Sequence, residues 1–293
     1  MLVPKAVRLA QKTFPTGNPN FAVKQAFPSA ISAEDADPFL MCDHFGPTIS
    51  KGKETNPDVF PVGWHPHRGM DILTYLVEGN GRHADSLGNR GEFASPGCQW
   101  ISVGSGIEHA EGGGVPAGET QLGFQIWVNV PSSRKMEDPR YGTEPPENIP
   151  LFTSPGVSAR VVAGEMQGLH GPFSTVQSVQ IIDYNLEAEA THLHTLSPSH
   201  DTCLVYLYRG EGQISGVDVP SYHVAQLEAS NLQVRDLSLS AGTEGMAALL
   251  FAGKRLNQPI AWHGPFVMTT QEEIQNTISD YRKGTFPVKR VPW

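Results

Sequence analysis

The feature that most constrains the fold of this chain is the alternation of short apolar runs and glycine turns between residues 70 and 130. Residues 72–77, 98–103 and 122–130 are strand-like, and turn-forming sequences such as Gly79-Asn80-Gly81 separate such runs. Short strands at regular spacing with turn chemistry between them indicate a β-barrel or β-sandwich. The sequence therefore predicts an all-β fold, in which the mouth of a barrel is a common place for a small ligand.

The composition agrees with a turn-rich β protein. Of the 293 residues, 30 are glycine and 24 are proline, and charged residues make up only 17%. The formal net charge is −9 and no basic stripe is present, so we expect no direct binding of nucleic acid through phosphates. The chain lacks an apolar run long enough for a membrane helix, and residues 1–15 lack the apolar region of a secretory signal.

The three cysteines, Cys42, Cys98 and Cys203, are far apart in the chain and form no C-x-x-C motif. An odd number of widely spaced cysteines favours reduced, buried thiols in a cytosolic protein. We therefore expect a soluble, cytoplasmic protein without a membrane partner, and we expect it to be a monomer.

The chain reads as two similar halves. The turn Gly210-Glu211-Gly212 parallels the turn at residues 78–81, which indicates an internal duplication. Between the halves, residues 131–157 contain six prolines, a composition that disfavours regular structure and marks a linker. We predict an N-terminal domain at residues 1–130, a linker at 131–157 and a C-terminal domain at 158–293.

The last element is predicted to be a helix over residues 270–284. Thr269 and Thr270 are candidate N-caps, each with a glutamate three residues further on, as in a capping box. Gly284 suits the residue after the helix C-terminus. An apolar stripe at helical spacing predicts the buried face, and it consists of Ile274, Ile278 and Tyr281.

The strongest chemical signal is a pair of short motifs, His65-Pro66-His67 and His109-Ala110-Glu111. Side chains in a strand alternate between faces, so the two members of each motif point the same way. If the two strands pack across a small barrel, three imidazoles and one carboxylate converge on a metal site. Glu108 falls on the opposite face. A lone histidine is usually a surface or structural residue, and the repetition of the spacing favours the metal site.

Three neutral imidazoles and one carboxylate suit a divalent first-row transition metal, namely Fe, Mn, Co, Ni, Cu or Zn, rather than Ca or Mg. Such a set leaves up to two coordination positions for a chelating substrate or O2. A carboxylate such as Glu111 can also act as a base toward a substrate hydroxyl.

These motifs resemble the metal-binding motifs of the pirin family, in the cupin superfamily. The similar stretches are Gly63-Trp64-His65-Pro66-His67-Arg68-Gly69 and Gly104-Ser105-Gly106-Ile107-Glu108-His109-Ala110-Glu111. Similar stretches also occur at residues 37–40, 125–131 and 264–268, so the resemblance covers roughly residues 5–286. It implies two cupin-type (double-stranded β-helix or jelly-roll) barrels in tandem, followed by a helix.

The resemblance also implies Fe(2+) held by His65, His67, His109 and Glu111. Some pirins are similar to quercetin 2,3-dioxygenases, which open the central ring of a flavonol with O2 and release carbon monoxide. The expected function is therefore a dioxygenase that acts on a small aromatic substrate, with Glu111 as the catalytic base. The alternative is a metal- or redox-sensitive regulatory protein that binds a transcription factor or a metabolic enzyme.

Several further residues were open to two interpretations. Asp71 replaces the glutamate that is usual in cupins, and it is either an acceptor for an imidazole N–H or a solvated or strand-capping residue. Gln125 either binds the ligand or is a core amide. Phe45, Phe60 and Trp64 either line the pocket or belong to the core. His192 and His194 repeat the H-x-H spacing, but residues 242–247 supply no further histidine, so we predict a vestigial second half without metal.

Overall fold

The computed structural model describes residues 1–15, 22–50, 52, 59–113, 116–229 and 233–288. Its first twelve strands are β1 (Pro4–Leu9), β2 (Gln11–Thr13), β3 (Val23–Phe27), β4 (Phe39–Ile49), β5 (Val62–His67), β6 (Met70–Glu78), β7 (Asn80–Asp85), β8 (Arg90–Ala94), β9 (Cys98–Ser102), β10 (Ile107–Gly113), β11 (Thr120–Asn129) and β12 (Arg140–Glu144).

The remaining strands are β13 (Leu151–Ser154), β14 (Val157–Ala163), β15 (Glu165–Met166), β16 (Leu169–His170), β17 (Val179–Leu186), β18 (Thr191–Thr195), β19 (Thr202–Ile214), β20 (Val217–Val219), β21 (His223–Leu227), β22 (Asp236–Gly253), β23 (Ala261–His263) and β24 (Phe266–Met268). The α helices are α1 (Ala33–Ala36) and α2 (Gln271–Lys283). The predicted all-β class with a C-terminal helix is confirmed. Helix α1 was not predicted, and it is a single turn capped by Ser32, whose side chain accepts the N–H of Asp35.

The described chain divides into two compact units that are interleaved in sequence. Unit I comprises residues 1–13, 24–43 and 147–255, and unit II comprises residues 14–23, 44–146 and 256–293. The chain therefore passes from one unit to the other inside β4. The domain limits given above stay a prediction. The proline-rich residues 131–157 contain two short 3-10 helices and the strands β12 and β13.

Unit I is built on one large antiparallel sheet with the strand order β1-β21-β19-β22-β17-β14-β13. Its longest strand is β22, whereas the apolar pattern of the sequence predicts two separate strands in this region, at residues 232–237 and 247–251. Alternate residues of these strands form a continuous apolar core, which includes Ile182, Val205, Leu239 and Leu250. Residue 232, like residues 21, 114 and 289–293 of other predicted segments, lies outside the described residues.

Unit II contains a four-stranded sheet with the order β5-β10-β7-β8, and a second sheet in which β12, β9, β6 and β11 are consecutive. In β11 the alternation is as predicted: Phe124 and Ile126 are fully buried on one face, while Gln125 and Trp127 lie on the other. The strands β5 and β10, expected on opposite sides of a barrel, are hydrogen-bonded neighbours in one sheet. This adjacency brings the two metal motifs together directly.

Helix α2 follows the signals in its sequence. Thr270 and Glu273 form a complete capping box, and Gly284 ends the helix in the left-handed conformation at φ 70°. Ile274 is buried in a cluster with Phe266 and Phe286, and Ile278 packs against that cluster. Tyr281, the last residue of the predicted stripe, is 42% exposed. Its ring still packs against those of Phe266 and Phe286, with centroids 6.3 and 5.7 Å apart, so all three residues of the predicted stripe contact this cluster.

Two other features of the fold concern the cysteines and the helices. Cys42, Cys98 and Cys203 are all free and buried, as predicted. Burial raises the pKa of each thiol, to about 12 for Cys203. Within the described residues, no helix has the length and apolar character needed to cross a bilayer.

Candidate metal centre

The site is built by two adjacent antiparallel strands of unit II. His109 on β10 lies directly opposite His65 on β5, and Ile107 lies opposite His67. The register between these strands shifts between His109 and Glu111, because β5 has an extra residue in the segment after Val62. The extra residue lies between Val62 and His65, so it does not disturb the pairing of His65 with His109. The side chains of both motifs therefore stay on a common face of the sheet.

The three predicted imidazoles come together. His65, His67 and His109 each offer a ring nitrogen, and these atoms all lie within 4.8 Å of one another. The Nε2 atoms of His65 and His109 are 2.9 Å apart. The ring centroids of His67 are 4.8 Å from those of His65 and 4.9 Å from those of His109. The residues of this cluster, which we call the histidine triad, could bind a metal ion.

The orientation of His65 shows which nitrogen is available. Its Nδ1 lies 2.8 Å from the carbonyl oxygen of Gly63, which can only accept, so Nδ1 carries the proton. Its Nε2 is then left with a lone pair that points to the other imidazoles. A backbone carbonyl on the far nitrogen is the usual arrangement by which proteins fix the tautomer of a metal-binding histidine.

Burial keeps the other two members neutral. His109 is fully buried and His67 is 2% exposed. Burial is the main cause that lowers the pKa of both rings well below the ordinary value, and repulsion from the neighbouring histidines adds to it. The Pro265 backbone offsets part of this effect at His67. Among the described residues, both ring nitrogens of His67 and Nδ1 of His109 have no hydrogen-bond partner, and Nε2 of His109 faces Nε2 of His65. Buried nitrogens without partners fit a metal-binding role.

Glu111, the predicted carboxylate ligand, is placed differently. It is buried on β10, and β10 keeps a regular register with β7, so Glu111 shares the face of His109. Its carboxylate does not belong to the group of mutually close ligand atoms in the described residues. Instead its Oε1 accepts a hydrogen bond from Nε2 of Gln125 on β11. Neither interpretation of Gln125 included this contact with a carboxylate, and the ligand-binding interpretation stays a prediction.

Two buried residues beside the triad were missed by the sequence analysis. His83 and Asp85 lie on β7, where Glu111 pairs with His83 and His109 pairs with Asp85. Nε2 of His83 lies 3.1 Å from Oδ2 of Asp85, and its ring centroid is 5.4 Å from that of His109. The signal was present as a third period-two pair, His83-Ala84-Asp85. Only the pairing of β7 with β10 shows that this pair neighbours the metal motifs.

Aromatic rings line the same region. Trp127, on the face of β11 that carries Gln125, packs edge-on against His67 with centroids 5.1 Å apart. Trp262 lies next to it at 5.7 Å, and Tyr141 stacks on His83 at 4.6 Å. Of the predicted wall residues, Trp64 is 45% exposed, and Phe60 lies under the guanidinium of Arg82. The triad is thus bordered by flat apolar surfaces.

The remaining predicted residues have other partners. Asp71 is buried, and its Oδ2 accepts the indole N–H of Trp100, so an indole occupies the role proposed for an imidazole. Burial raises the pKa of Asp71 to about 6. In unit I, His194 is buried and hydrogen-bonded to Tyr184 and Gln180, whereas the ring of His192 contacts Phe152 and Tyr184.

This chain is similar to known proteins in both sequence and fold. The profile of the Pirin family matches residues 20–128, and that of the Pirin C-terminal cupin domain matches residues 181–287. Human Pirin is 34% identical over 85% of this chain and 82% of its own. A Pseudomonas aeruginosa protein, provisionally named a quercetin 2,3-dioxygenase, is 36% identical over 88% and 89% of the two chains.

A solved structure extends the likeness over nearly the whole chain. The quercetin 2,3-dioxygenase of Acinetobacter baumannii superposes with a TM-score of 0.87 at 28% identity, covering 98% of this chain and 99% of that one. Together with the two profiles, this confirms the expected pair of cupin domains.

Proposed function

This chain belongs to the pirin family of the cupin superfamily, and from that membership we propose that it is a metal-dependent dioxygenase. Its substrate would be a small aromatic compound, a flavonol such as quercetin, whose central ring is opened with O2. The observation that carries the proposal is the histidine triad, with three ligand nitrogens within 4.8 Å of one another on one sheet face. The likeness to the A. baumannii enzyme supports the reaction class.

The residues present fit a transition metal. His65, His67 and His109 would hold it through ring nitrogens, and Glu111 remains the proposed fourth ligand. With three neutral imidazoles and one carboxylate, a divalent ion keeps a net charge of about +1, and nitrogen-rich shells favour Fe, Mn, Co, Ni, Cu or Zn. Our first choice is Fe(2+). When bound, the metal would supply Lewis acidity toward the substrate oxygens and reactivity toward O2.

The carboxylate of Glu111 is the proposed base. A flavonol must lose the proton of its ring hydroxyl before it reacts, and a buried carboxylate next to the triad can accept that proton. Gln125 donates a hydrogen bond to Oε1 of Glu111, which fixes the carboxylate and leaves Oε2 available. The amide therefore orients the base for a hydroxyl that approaches from the triad.

The aromatic border suits a flat substrate. Trp127 and Trp262 form a tilted pair beside His67, and a planar polyphenol can stack on such surfaces. Apolar walls also exclude water, which strengthens the electrostatic interactions within the site.

The experiment is oxygen uptake with quercetin, using metal-free protein reloaded in turn with Fe, Mn, Co, Ni and Cu. His109→Ala serves as the control because it removes one ligand nitrogen. We expect uptake that depends on a particular metal and disappears in the variant. Tight metal binding without oxygen uptake under any loading would contradict the enzyme, and the redox-sensitive regulatory function would then replace it.

A further inference from the structure

Unit I contains a cavity of about 850 Å³ that the proposed dioxygenase does not use. It is open to solvent on one side and lined by residues of two segments, 164–180 and 193–200, and none of the proposed metal ligands lines it. Its volume lies in the range of pockets that enclose small organic ligands, roughly 300–1,000 Å³. The proposed metal centre lies in unit II, so this cavity would serve a separate ligand.

One wall of the cavity contains a chain of hydrogen-bonded side chains, which we call the polar relay. His194 lines the cavity, with its Nδ1 2.8 Å from the hydroxyl of Tyr184 and its Nε2 3.2 Å from Oε1 of Gln180. Since the amide oxygen can only accept, Nε2 carries the proton and the tyrosine hydroxyl donates to Nδ1. Gln180 in turn donates to the carbonyl of Glu165. Every group of the relay is satisfied, which gives the wall a rigid shape.

The second buried imidazole is not satisfied. His200 is 6% exposed and lines the cavity, and its Nε2 lies 3.2 Å from the hydroxyl of Ser178, which lines it too. Nδ1 of His200 has no hydrogen-bond partner among the described residues. A neutral imidazole can present either a donor or an acceptor at this nitrogen, and a hydroxyl group can complement either form. The hydroxyl of Ser178, which is hydrogen-bonded to His200, lies at the cavity and can complement a hydroxyl group of a ligand.

The lining offers no fixed positive charge. Burial lowers the pKa of His194 and of His200 to about 4, so both rings are neutral at physiological pH. The nearby guanidinium of Arg235 donates to the backbone carbonyls of Ala229, Ser197 and His200. Glu165 contributes a carboxylate whose side chain is 62% exposed. The two buried imidazoles thus offer an anionic ligand no ion-pair partner, and the third lining histidine, His170, lies 3.9 Å from the carboxylate of Glu165.

The lining combines hydroxyl groups with apolar surface. Phe173 and Met166 offer faces for a ring, and Leu193 is 56% exposed at the cavity. The lining hydroxyls are those of Ser174, Thr175, Ser178, Thr195 and Ser197. We propose that this cavity is a second binding site, for an uncharged ring compound that carries several hydroxyl groups. A phenolic ring and a sugar ring share this chemistry.

The test uses the His109→Ala variant, so that the metal centre does not contribute binding. Saturation-transfer NMR would be recorded with catechol and with methyl glucoside, which separate the phenolic and the sugar form of the ligand. We expect binding of at least one probe, weakened at least about tenfold by Phe173→Ala or Ser178→Ala. Ser158→Ala is the matched control, because Ser158 lies in the same unit on β14 and does not line the cavity.

A second measurement needs no cavity variant, so its result does not depend on whether such a variant folds. Hydrogen exchange of the parent protein with the bound probe should slow in residues 164–180 and 193–200 and nowhere else in unit I. The proposal is overturned if neither probe binds at about 10 mM, or if binding is unaffected by both cavity variants. It is also overturned if inorganic phosphate displaces the probe, since that would show an anion site.

Discussion

At the scale of single residues, the environment of each imidazole determines its chemistry. His67 and His109 are neutral because burial removes them from water, and His65 is oriented by the carbonyl of Gly63. The same argument applies to His194 in unit I, which is neutral for the same reason but has both nitrogens occupied. Neutrality by itself therefore does not distinguish a metal ligand from a structural histidine. The close approach of several ligand nitrogens does, since those of His65, His67 and His109 all lie within 4.8 Å of one another.

Replacing Gln125 by methionine tests the role of the amide that holds Glu111. We expect oxygen uptake to fall about 10- to 100-fold, because the carboxylate loses the donor that orients it, while bound metal stays near the parental amount. Metal content and oxygen uptake would be measured together. Gln121→Met, on the same strand, is the control, since Gln121 accepts from the backbone N–H of Asn80. Equal losses in both variants would contradict the assignment.

The depressed pKa of His194 predicts a specific pH dependence of stability. Between its ordinary value of 6.5 and about 4, the unfolded chain binds a proton that the folded protein excludes. The contribution of His194 to the free energy of unfolding should therefore be greatest above pH 6.5. It should decrease by up to about 3 kcal/mol as the pH falls from 6.5 to about 4. Urea unfolding of metal-free protein at several pH values measures it.

His194→Gln isolates that contribution because glutamine keeps a donor and an acceptor but does not titrate in this range. We expect a shallower decline between pH 6.5 and 4, with the contribution of His200 remaining. His170→Gln is the control, since the side chain of His170 is 71% exposed. A decline that is equally steep in His194→Gln and the parent would disprove the assignment.

At the scale of secondary-structure elements, the pairing of β5 with β10 brings the histidine triad together. Helix α2 supports this arrangement through a contact with the residue that follows His67. Arg68 directly follows His67 and is 2% exposed. Its guanidinium donates to the carbonyl of Ser105 at 2.7 Å and to Asp280 of α2 at 2.9 Å, and it lies over the ring of Phe286. Strand β5 is thus fixed at the end that carries His67.

Asp280→Asn tests this support. The variant leaves a buried guanidinium without its anionic partner, and because Asp280 is 42% exposed we expect a loss of about 1–2 kcal/mol of unfolding free energy. Metal affinity should also fall, because His67 is held less rigidly. Urea unfolding and competition with a chelator measure the two effects. Glu272→Gln on the same helix should change neither quantity, and an unaltered Asp280→Asn would refute the coupling.

At the scale of the whole molecule, each unit contains at least one buried cysteine, and the rate at which its thiol reacts measures how often that unit opens. Cys98 belongs to unit II, which carries the triad, and Cys203 belongs to unit I. Both are inaccessible to a reagent until the surrounding strands open. Since a bound metal stabilises only the folded form, by about 4 kcal/mol at a thousandfold excess over Kd, its removal should destabilise unit II.

We therefore expect a chelator to accelerate the alkylation of Cys98 more than that of Cys203. Mass spectrometry of the alkylated peptides gives both rates in one experiment. In His109→Ala, the chelator should have no effect on either rate. Equal acceleration of the two cysteines in the parent protein would show that the metal stabilises both units alike.

Local signals in the sequence predict much of the fold and of the candidate metal centre. Alternating strands, the Thr270 and Glu273 capping box and the two H-x-H/H-x-E motifs depend on local periodicity and local hydrogen bonds, which a single chain segment encodes. That is why the all-β class, the terminal helix and the three imidazoles could be predicted.

Which strands are neighbours becomes known only from the folded structure. Strand pairing depends on contacts between residues far apart in the chain, so the adjacency of β5 and β10, the approach of His83 and Asp85, and the bond from Gln125 to Glu111 had no local signal. The same holds for Arg68 and Asp280, which are 212 positions apart in sequence. Local periodicity determines on which face of a strand or helix a side chain lies. Pairing between distant segments determines which residues that face contacts.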